Sequence, residues 1–292
     1  MSIFNDLLSR FHLNATIFHR SLVCNPWSTD TSGSGLASFH LISSGEAFLH
    51  CEQYQSESLS TGDLVIFPHD GSHIIDSCEQ SNAEHHDTSF VSYPIDSKHV
   101  DGTGLICGYF DFCEDKQHPL ITQLPQCILL KKQDQHGTLI SILDSLIKEA
   151  NLGTQASDVI LSRLSELFFL TLLRSLSLDT QTDLGLFRAL QDPKMARVLQ
   201  AIFGQLASPW DLASLASVGG YSRASFASHF KQYFGQAPLE YLSHLRLTQA
   251  KKQLMSGDTV LKVALDVGYG SDVTFAKAYK RYFGHGPGAS RP

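Results

Sequence analysis

The chain changes its hydrophobic rhythm twice. Residues 1–12 carry Ile3, Phe4, Leu7, Leu8 and Phe11 at helical spacing, which predicts a short amphipathic helix. From about 15 to 130 the apolar positions come in short runs: ATIFHRSLV (15–23), LASFHLI (36–42), EAFLHCE (46–52), DLVIFP (63–68), SHIID (72–76), GLICGYFDF (104–112) and QCILL (126–130). Runs of this length, split by Gly, Pro and Ser, predict strands, and many at this spacing predict a β-sandwich or barrel. Positions 77–103 are polar and without a period, the pattern of a long surface loop. From Gly137 the period becomes helical, in TLISILDSLIKEA (138–150) and SDVILSRLSELFFLTLLRSL (157–176). The second of these has an apolar stripe of Ile160, Leu161, Leu164, Leu167, Phe168 and Leu172, suited either to packing on the β region or to pairing two copies of the chain.

The last hundred residues are helical in pattern and contain a repeat. Asp192-Pro193 and Ser208-Pro209 each set a capping side chain before a proline, a helix-start signal. A shift of 49 residues brings Leu212 onto Leu261, Val218 onto Val267, Gly219 onto Gly268, Ser222 onto Ser271 and Phe226 onto Phe275. The same shift matches Phe230 to Tyr279, Lys231 to Lys280, Tyr233-Phe234-Gly235 to Tyr282-Phe283-Gly284, and Pro238 to Pro287, with no gap. Each copy reads as helix, glycine turn, helix. Gly219 or Gly268 is expected to end the first helix in a conformation costly for other residues, and Ser222 or Ser271 to cap the second.

In those second helices the aromatics Phe226, Phe230 and Phe234, or Phe275, Tyr279 and Phe283, fall on one side. The opposite face carries Ala224, Ser228, Lys231 and Gln232 in the first copy, and Val273, Thr274, Lys277, Lys280 and Arg281 in the second. A helix anchored by aromatics, with small and basic residues outward, suits a major groove and its flanking phosphates. The alternative is a helical bundle with solvated cations; the duplication and the charge balance weigh against it. The whole chain carries −7, but from Leu190 to Pro292 twelve basic residues face six acidic ones, so the end is +6 and the first 189 residues −13. Such asymmetry is expected where one end meets nucleic acid.

Other totals set outer bounds. With 292 residues, 42% hydrophobic, the chain has material for two cores. The start MSIFNDLLSR lacks the basic and apolar regions of a secretion signal, and the apolar stretch LFFLTLL (167–173) is too short to span a bilayer, so a cytoplasmic protein without membrane contact is expected. The six cysteines (24, 51, 78, 107, 113, 127) lie in the acidic part with no CxxC pair, which argues against a zinc ribbon and for free thiols.

The segments WDLASLASVGGYSRASFASHFKQYFGQAPLEYLSHLRLTQAKKQL (210–254) and VLKVALDVGYGSDVTFAKAYKRYFGHGP (260–287) resemble the DNA-binding domain of the AraC/XylS family, including the linking helix with Arg246 and Ala250. The resemblance implies seven helices and two recognition helices that enter successive major grooves of double-stranded DNA. Base-reading positions then fall on Ala224, Ala227 and Ser228 in the first copy, and on Asp272, Val273, Thr274 and Lys277 in the second. Ser222, Arg223, Ser225, Lys231, Ser271, Lys280 and Arg281 complete the expected DNA-binding set, with Ser222 and Arg223 on phosphate. The first helix lacks Arg, Gln or Asn at its reading positions, so modest discrimination is expected there. The chain also ends PGASRP, where a Tyr-Arg is usual after the last Pro.

The segment Gly62 to His73, GDLVIFPHDGSH, has the Gly-Asp, Pro and His spacing of a cupin barrel's second motif, with the Gly displaced by one position. The usual first motif is reduced to His40 in SFHLISSGE. Together with LICGYFDF, HPLITQLP and LSRLSELFFLTLLR, these segments resemble the cupin-type sensor domains attached to one branch of AraC-like regulators, over about residues 5–180. The expected fold is therefore α+β and multidomain: a cupin-like barrel with flanking helices over 1–135, a helical linker or dimerisation segment over 136–188, and an all-α domain over 189–292 with helix-turn-helix units at about 209–231 and 258–281. The resemblance implies a transcription regulator, an activator by family expectation, that works as a homodimer with RNA polymerase as partner.

Three sensing chemistries stay open. His40, His73 and Cys107 can converge on a divalent metal such as Zn, or the histidines can be structural. Cys24 and Cys107 are candidate redox thiols if accessible and acidic enough. A small organic effector can sit among Trp27, Phe39, Phe48 and Phe67. The functional alternative is a cupin-fold metal-binding enzyme with an accessory helical domain, which needs three His and a carboxylate that the sequence does not supply. No catalytic residue is assigned.

Overall fold

Alternation along the β runs fixes which side chains can share a core, and the computed structural model of the chain bears that out strand by strand. It describes residues 3–11, 13–80, 91–95, 97, 101–112, 119–135, 137–152, 157–179 and 184–292. The chain divides into a β-rich unit (residues 12–114 and 124–175) and a helical unit (1–11, 115–123 and 176–292). The first helix, α1 (Ile3–Arg10), thus belongs to the helical unit.

The β-rich unit contains β1 (Asn14–Val23), β2 (Ser28–Thr29), β3 (Ala37–Ser44), β4 (Glu46–Cys51), β5 (Glu57–Ser60), β6 (Leu64–Phe67), β7 (His73–Asp76), β8 (Ser92–Tyr93) and β9 (Thr103–Asp111). After α2 (Pro119–Thr122), which belongs to the helical unit, come β10 (Ile128–Leu130), α3 (Thr138–Leu152) and α4 (Ser157–Leu178). One sheet has the order β10-β6-β3-β9-β1-β8 and the other β2-β7-β4-β5. Every pairing is antiparallel. The short β2, β5 and β8 were not evident in the sequence pattern, and the loop expected at 77–103 lies largely outside the described residues.

Along β3 the alternation divides two cores. Ile42 joins Val65, Phe67, Leu105, Ile75, Leu49 and Trp27 in a cluster drawn from both sheets. Phe39 points the other way and stacks on Phe110 at 4.6 Å, which meets Phe169 of α4 at 4.8 Å. The apolar stripe of α4 is accordingly split: Leu161, Phe168 and Leu172 are buried, while Ile160 and Leu167 stay 42% and 50% exposed. The Gly-Asp turn before β6 is held by the Asp63 carboxylate, which accepts from the Ser60 and Lys132 amides at 3.0 and 2.8 Å.

The helical unit continues with α5 (Gly185–Gln191), α6 (Pro193–Gly204), α7 (Leu212–Gly219), α8 (Arg223–Phe234), α9 (Pro238–Met255), α10 (Val260–Asp266) and α11 (Asp272–Phe283). Asp192 caps α6 by accepting from the amides of Lys194 and Met195, with Pro193 in the first turn as expected. Ser208-Pro209 does not start a helix. Asp211 caps α7 instead, in a capping box with Ser214 that satisfies two amides reciprocally. Tyr241 near the start of α9 packs on Phe230 and Phe234 of α8. Leu247, Ala250 and Leu254 near its end pack with Val263, Phe275 and Tyr279 of the second copy. The Arg246 side chain, midway, donates to the carbonyls of Leu206 and Ser208. Among the described residues no helix is long and apolar enough to cross a membrane.

Candidate nucleic-acid interface and buried histidine cluster

Both second helices begin alike. The Ser222 hydroxyl accepts from the Ser225 amide, and the Ser271 hydroxyl from the Thr274 amide, each at 3.2 Å. These caps take up amides left unpaired at a helix start and fix where the helix begins relative to its turn. The aromatics form the inner face. Phe226, Phe230, Phe275 and Tyr279 are fully buried, with rings in contact along each helix at 4.5–5.6 Å.

The turns differ by one residue. In the first copy the left-handed conformation falls on Gly220 (φ 69°), one position later than expected, and Gly219 closes α7 as a buried helical residue. A side chain at Gly219 would meet Tyr221 and Val198 within 2.8 Å, so that glycine is needed for closeness. In the second copy the left-handed residue is Gly268 (φ 86°), where a Cβ would also lie 2.5 Å from the Ala207 carbonyl oxygen. Sequence register and backbone register thus part company at the turn.

On the outer face of α8, Arg223, Ala224, Ser228 and Lys231 are exposed, while Ser225 and Ala227 are half-buried. His229, not singled out by the sequence pattern, is exposed beside Ser228, its Nδ1 donating to the Ser225 carbonyl at 2.8 Å and its ring 5.5 Å from Tyr221. Its signal was only its place on the outward arc. On α11, Asp272, Val273, Thr274, Lys277, Lys280 and Arg281 are all exposed, Val273 at 60%. An apolar side chain left that bare on a helix whose other face is aromatic core suits a thymine methyl. The capping residue Asp192 also accepts from the hydroxyls of Tyr221 and Tyr233, at 3.1 and 3.2 Å. Burial alone would raise its pKa, but these bonds and the Lys194 and Met195 amides hold it below the ordinary carboxylate value.

In the β-rich unit, three of the expected sensor residues come together. β3 pairs β9 with His40 opposite Cys107, and β4 pairs β7 with Cys51 opposite His73. His40 Nδ1 lies 3.1 Å from Cys107 Sγ, His40 Nε2 lies 3.0 Å from His73 Nε2, and Thr31 Oγ1 sits 3.1 and 3.0 Å from those two Nε2 atoms. His73 Nδ1 faces the Gly71 carbonyl at 2.7 Å and must donate, so in a neutral ring its Nε2 accepts. His40 Nε2 then donates, its Nδ1 accepts, and the Cys107 thiol donates to it. Both histidines stay neutral: burial lowers the pKa of each, and for His40 the neighbouring His73 adds to it. Burial likewise pushes the Cys107 thiol up.

The same geometry corrects two expectations. The His40 ring lies between its partners and shows them different nitrogens, so His40, His73 and Cys107 do not converge on one ion. Among the described residues no group of three or more His, Cys, Asp or Glu side chains is placed to hold a metal. The described residues therefore do not fit the zinc expectation for His40, His73 and Cys107. Cys107, 2% exposed with its proton held, does not suit a reactive thiol. Cys24 stands free and half-buried after β1. Trp27, Phe39 and Phe67 are all core, but Phe67 also stacks on His73 at 3.6 Å, and those two rings border a cleft of about 880 Å³ with Cys51, Gln126 and Cys127.

An antiparallel β-sheet pair in one unit and two capped helix-turn-helix copies in another define a sequence-specific DNA-binding transcription regulator with a cupin-type domain. Residues 3–177 match the Cupin family and 215–292 a helix-turn-helix domain, so the chain belongs to the cupin family and carries an AraC-type DNA-binding end. It is 27% identical over 299 residues to the RCS-specific HTH-type transcriptional activator RclR of Escherichia coli, covering 98% of this chain and 97% of that one. It is 32% identical over 194 residues to an AraC-like transcription regulator of Streptomyces lividans, covering 65% and 64%. Among solved structures, an AraC-type regulator from Chromobacterium violaceum aligns over 35% of this chain and 91% of its own, at 26% identity and a TM-score of 0.32.

Proposed function

We propose that the protein is a cytoplasmic activator that reads its operator chiefly through α11 and receives its signal in the cleft bounded by His73. The observation that carries the first part is the contrast between outward faces on matched frames. Lys277 can donate to guanine edges and Val273 can meet thymine methyls, whereas Ala224, Ala227 and Ser228 offer little base chemistry. In this reading Ser222, Arg223, Ser225, Lys231, Ser271, Lys280 and Arg281 hold phosphates, and Asp272 and Thr274 flank the reading positions. Residues 1–135 act as the receiving domain, 136–188 as linker and dimerisation segment, and 189–292 as the DNA-binding domain. The exposed Val159, Ile160 and Leu167 of α4 support a homodimer, and RNA polymerase is the partner in activation. The protein is assigned no catalytic turnover.

His73 supports the second part. It is the one member of the buried histidine chain that borders the cleft, so an effector there reaches the chain through it. The test is footprinting of the purified full chain on its own upstream DNA, followed by transcription from that promoter. A bounded footprint lost with Lys277→Ala, with His73→Ala altering the signal response but not basal DNA affinity, supports the proposal. Equal protection of random duplex, or an unchanged dose-response in His73→Ala, overturns the corresponding half.

A further inference from the structure

We propose that Cys51 and Cys127 form an oxidisable thiol pair that closes to a disulfide across the two sheets when a hydroperoxide enters the cleft. Its regulatory consequence rests on the reading of the β-rich unit as the receiving domain. Cys51 ends β4 in the four-stranded sheet, and Cys127 directly precedes β10 in the six-stranded one. Nothing in the sequence pairs them, since 75 residues intervene. The fold brings both to the wall of the same cleft, beside His73, Phe67 and Gln126. Cys51 and Tyr54 pack against the core cluster that contains Cys127, and the Cys51 sulfur is close enough to perturb the Cys127 thiol. Their exposures differ usefully: Cys51 is half-buried and open to the cleft, while Cys127 is buried at 4%.

The contact also orders the chemistry. Burial and the neighbouring Cys51 sulfur push the Cys127 thiol up to about 12, so Cys127 keeps its proton until the second step. Cys51 gives up its proton and its sulfur attacks one peroxide oxygen; the O–O bond breaks, the departing hydroxide takes up that proton and leaves as water, and Cys51 becomes a sulfenic acid. The Cys127 sulfur then attacks the Cys51 sulfur, the S–O bond breaks, and the second oxygen departs as water with the Cys127 proton. In total two thiols and one hydroperoxide molecule give one disulfide and two waters when the peroxide is hydrogen peroxide. The new bond fastens the end of β4 to the start of β10, next to His73, which stands opposite Cys51 in the register of β4 and β7. Oxidation is thereby delivered to the cleft-facing end of the histidine chain.

The experiment uses the reduced full-length protein treated with stoichiometric hydrogen peroxide, mapped by non-reducing digestion and mass spectrometry, with DNA affinity measured in both states. The expected result is loss of two free thiols, a Cys51–Cys127 linked peptide, its absence in Cys51→Ser and Cys127→Ala, reversal by dithiothreitol, and a change in affinity on the order of tenfold. If a variant fails to fold, the wild-type peptide map decides alone. A linkage to another cysteine, or no linkage, overturns the thiol pair. A linked pair with unchanged affinity overturns the regulatory consequence. If the bond forms and neither state binds the upstream DNA, the operator reading fails and the thiol site stands.

Discussion

In the first helix-turn-helix copy, the solvent face of α8 carries Ala224, Ser228 and Lys231; in the second, α11 turns out Val273, Thr274, Lys277, Lys280 and Arg281. The inner faces are nearly interchangeable, with a serine cap at each start, a left-handed glycine at each C-cap and an aromatic every fourth position. Packing and capping constrain the inner half of each helix, since every aromatic there is anchored by its neighbours and each cap satisfies an amide. The outer half is free of those demands. The difference teaches that one frame can carry two different outer faces, which the proposed function reads as base reading on α11 and phosphate holding on α8.

The largest expected effects probe the shared frame. Phe226→Ala and Phe275→Ala should each destabilise the helical unit by about 3–5 kcal/mol in urea unfolding, because both rings are fully buried. A difference above about 2 kcal/mol between them would break the equivalence of the two cores. The turns should then separate the copies. Gly220→Ala should cost about 1 kcal/mol for the left-handed backbone alone, since open space surrounds it, and Gly268→Ala about 3 kcal/mol, since its Cβ must also displace the Ala207 carbonyl. Equal costs would mean that the one-residue difference in the turn is not real. On operator DNA, Lys277→Ala should lose about 1–3 kcal/mol and relax discrimination at one base pair, while Ser228→Ala should lose under about 1 kcal/mol. Reversal of that order in competition binding would assign reading to α8. Smallest in free energy, Lys231→Ala and Lys280→Ala should each lower the slope of log affinity against log salt by about one. A shift in sequence preference from either would move that lysine from phosphate to base.

Much of this was legible in the sequence because it is local or periodic. Seven of the strands follow the apolar runs, the repeat aligns every aromatic of both helices, and the caps Asp192, Ser222 and Ser271 lie where residue type demands. What escaped depends on partners far along the chain. β5 reads ESLS and is a strand only because β4 offers it a ladder. Ser208-Pro209 has the right residues, yet the Ser208 carbonyl is engaged by Arg246, and the helix waits for Asp211. His40, His73 and Cys107 stand out by residue type on neighbouring strands, but which nitrogen faces which partner is set by sheet register. The meeting of Cys51 and Cys127 at one cleft needs two sheets to face each other, which no spacing encodes.

The helix α9 has 18 residues, about 27 Å of rod, and past its opening proline it contains neither proline nor glycine. One end is bolted to the aromatic row of α8 and the other to that of α11. Such a part behaves as a ruler. It implies that the two target patches on a duplex cannot be moved apart by half a helical turn without losing one of them, since bending the ruler would expose buried aromatic surface. An operator lengthened by about ten base pairs, which restores the facing direction, would still lie out of reach.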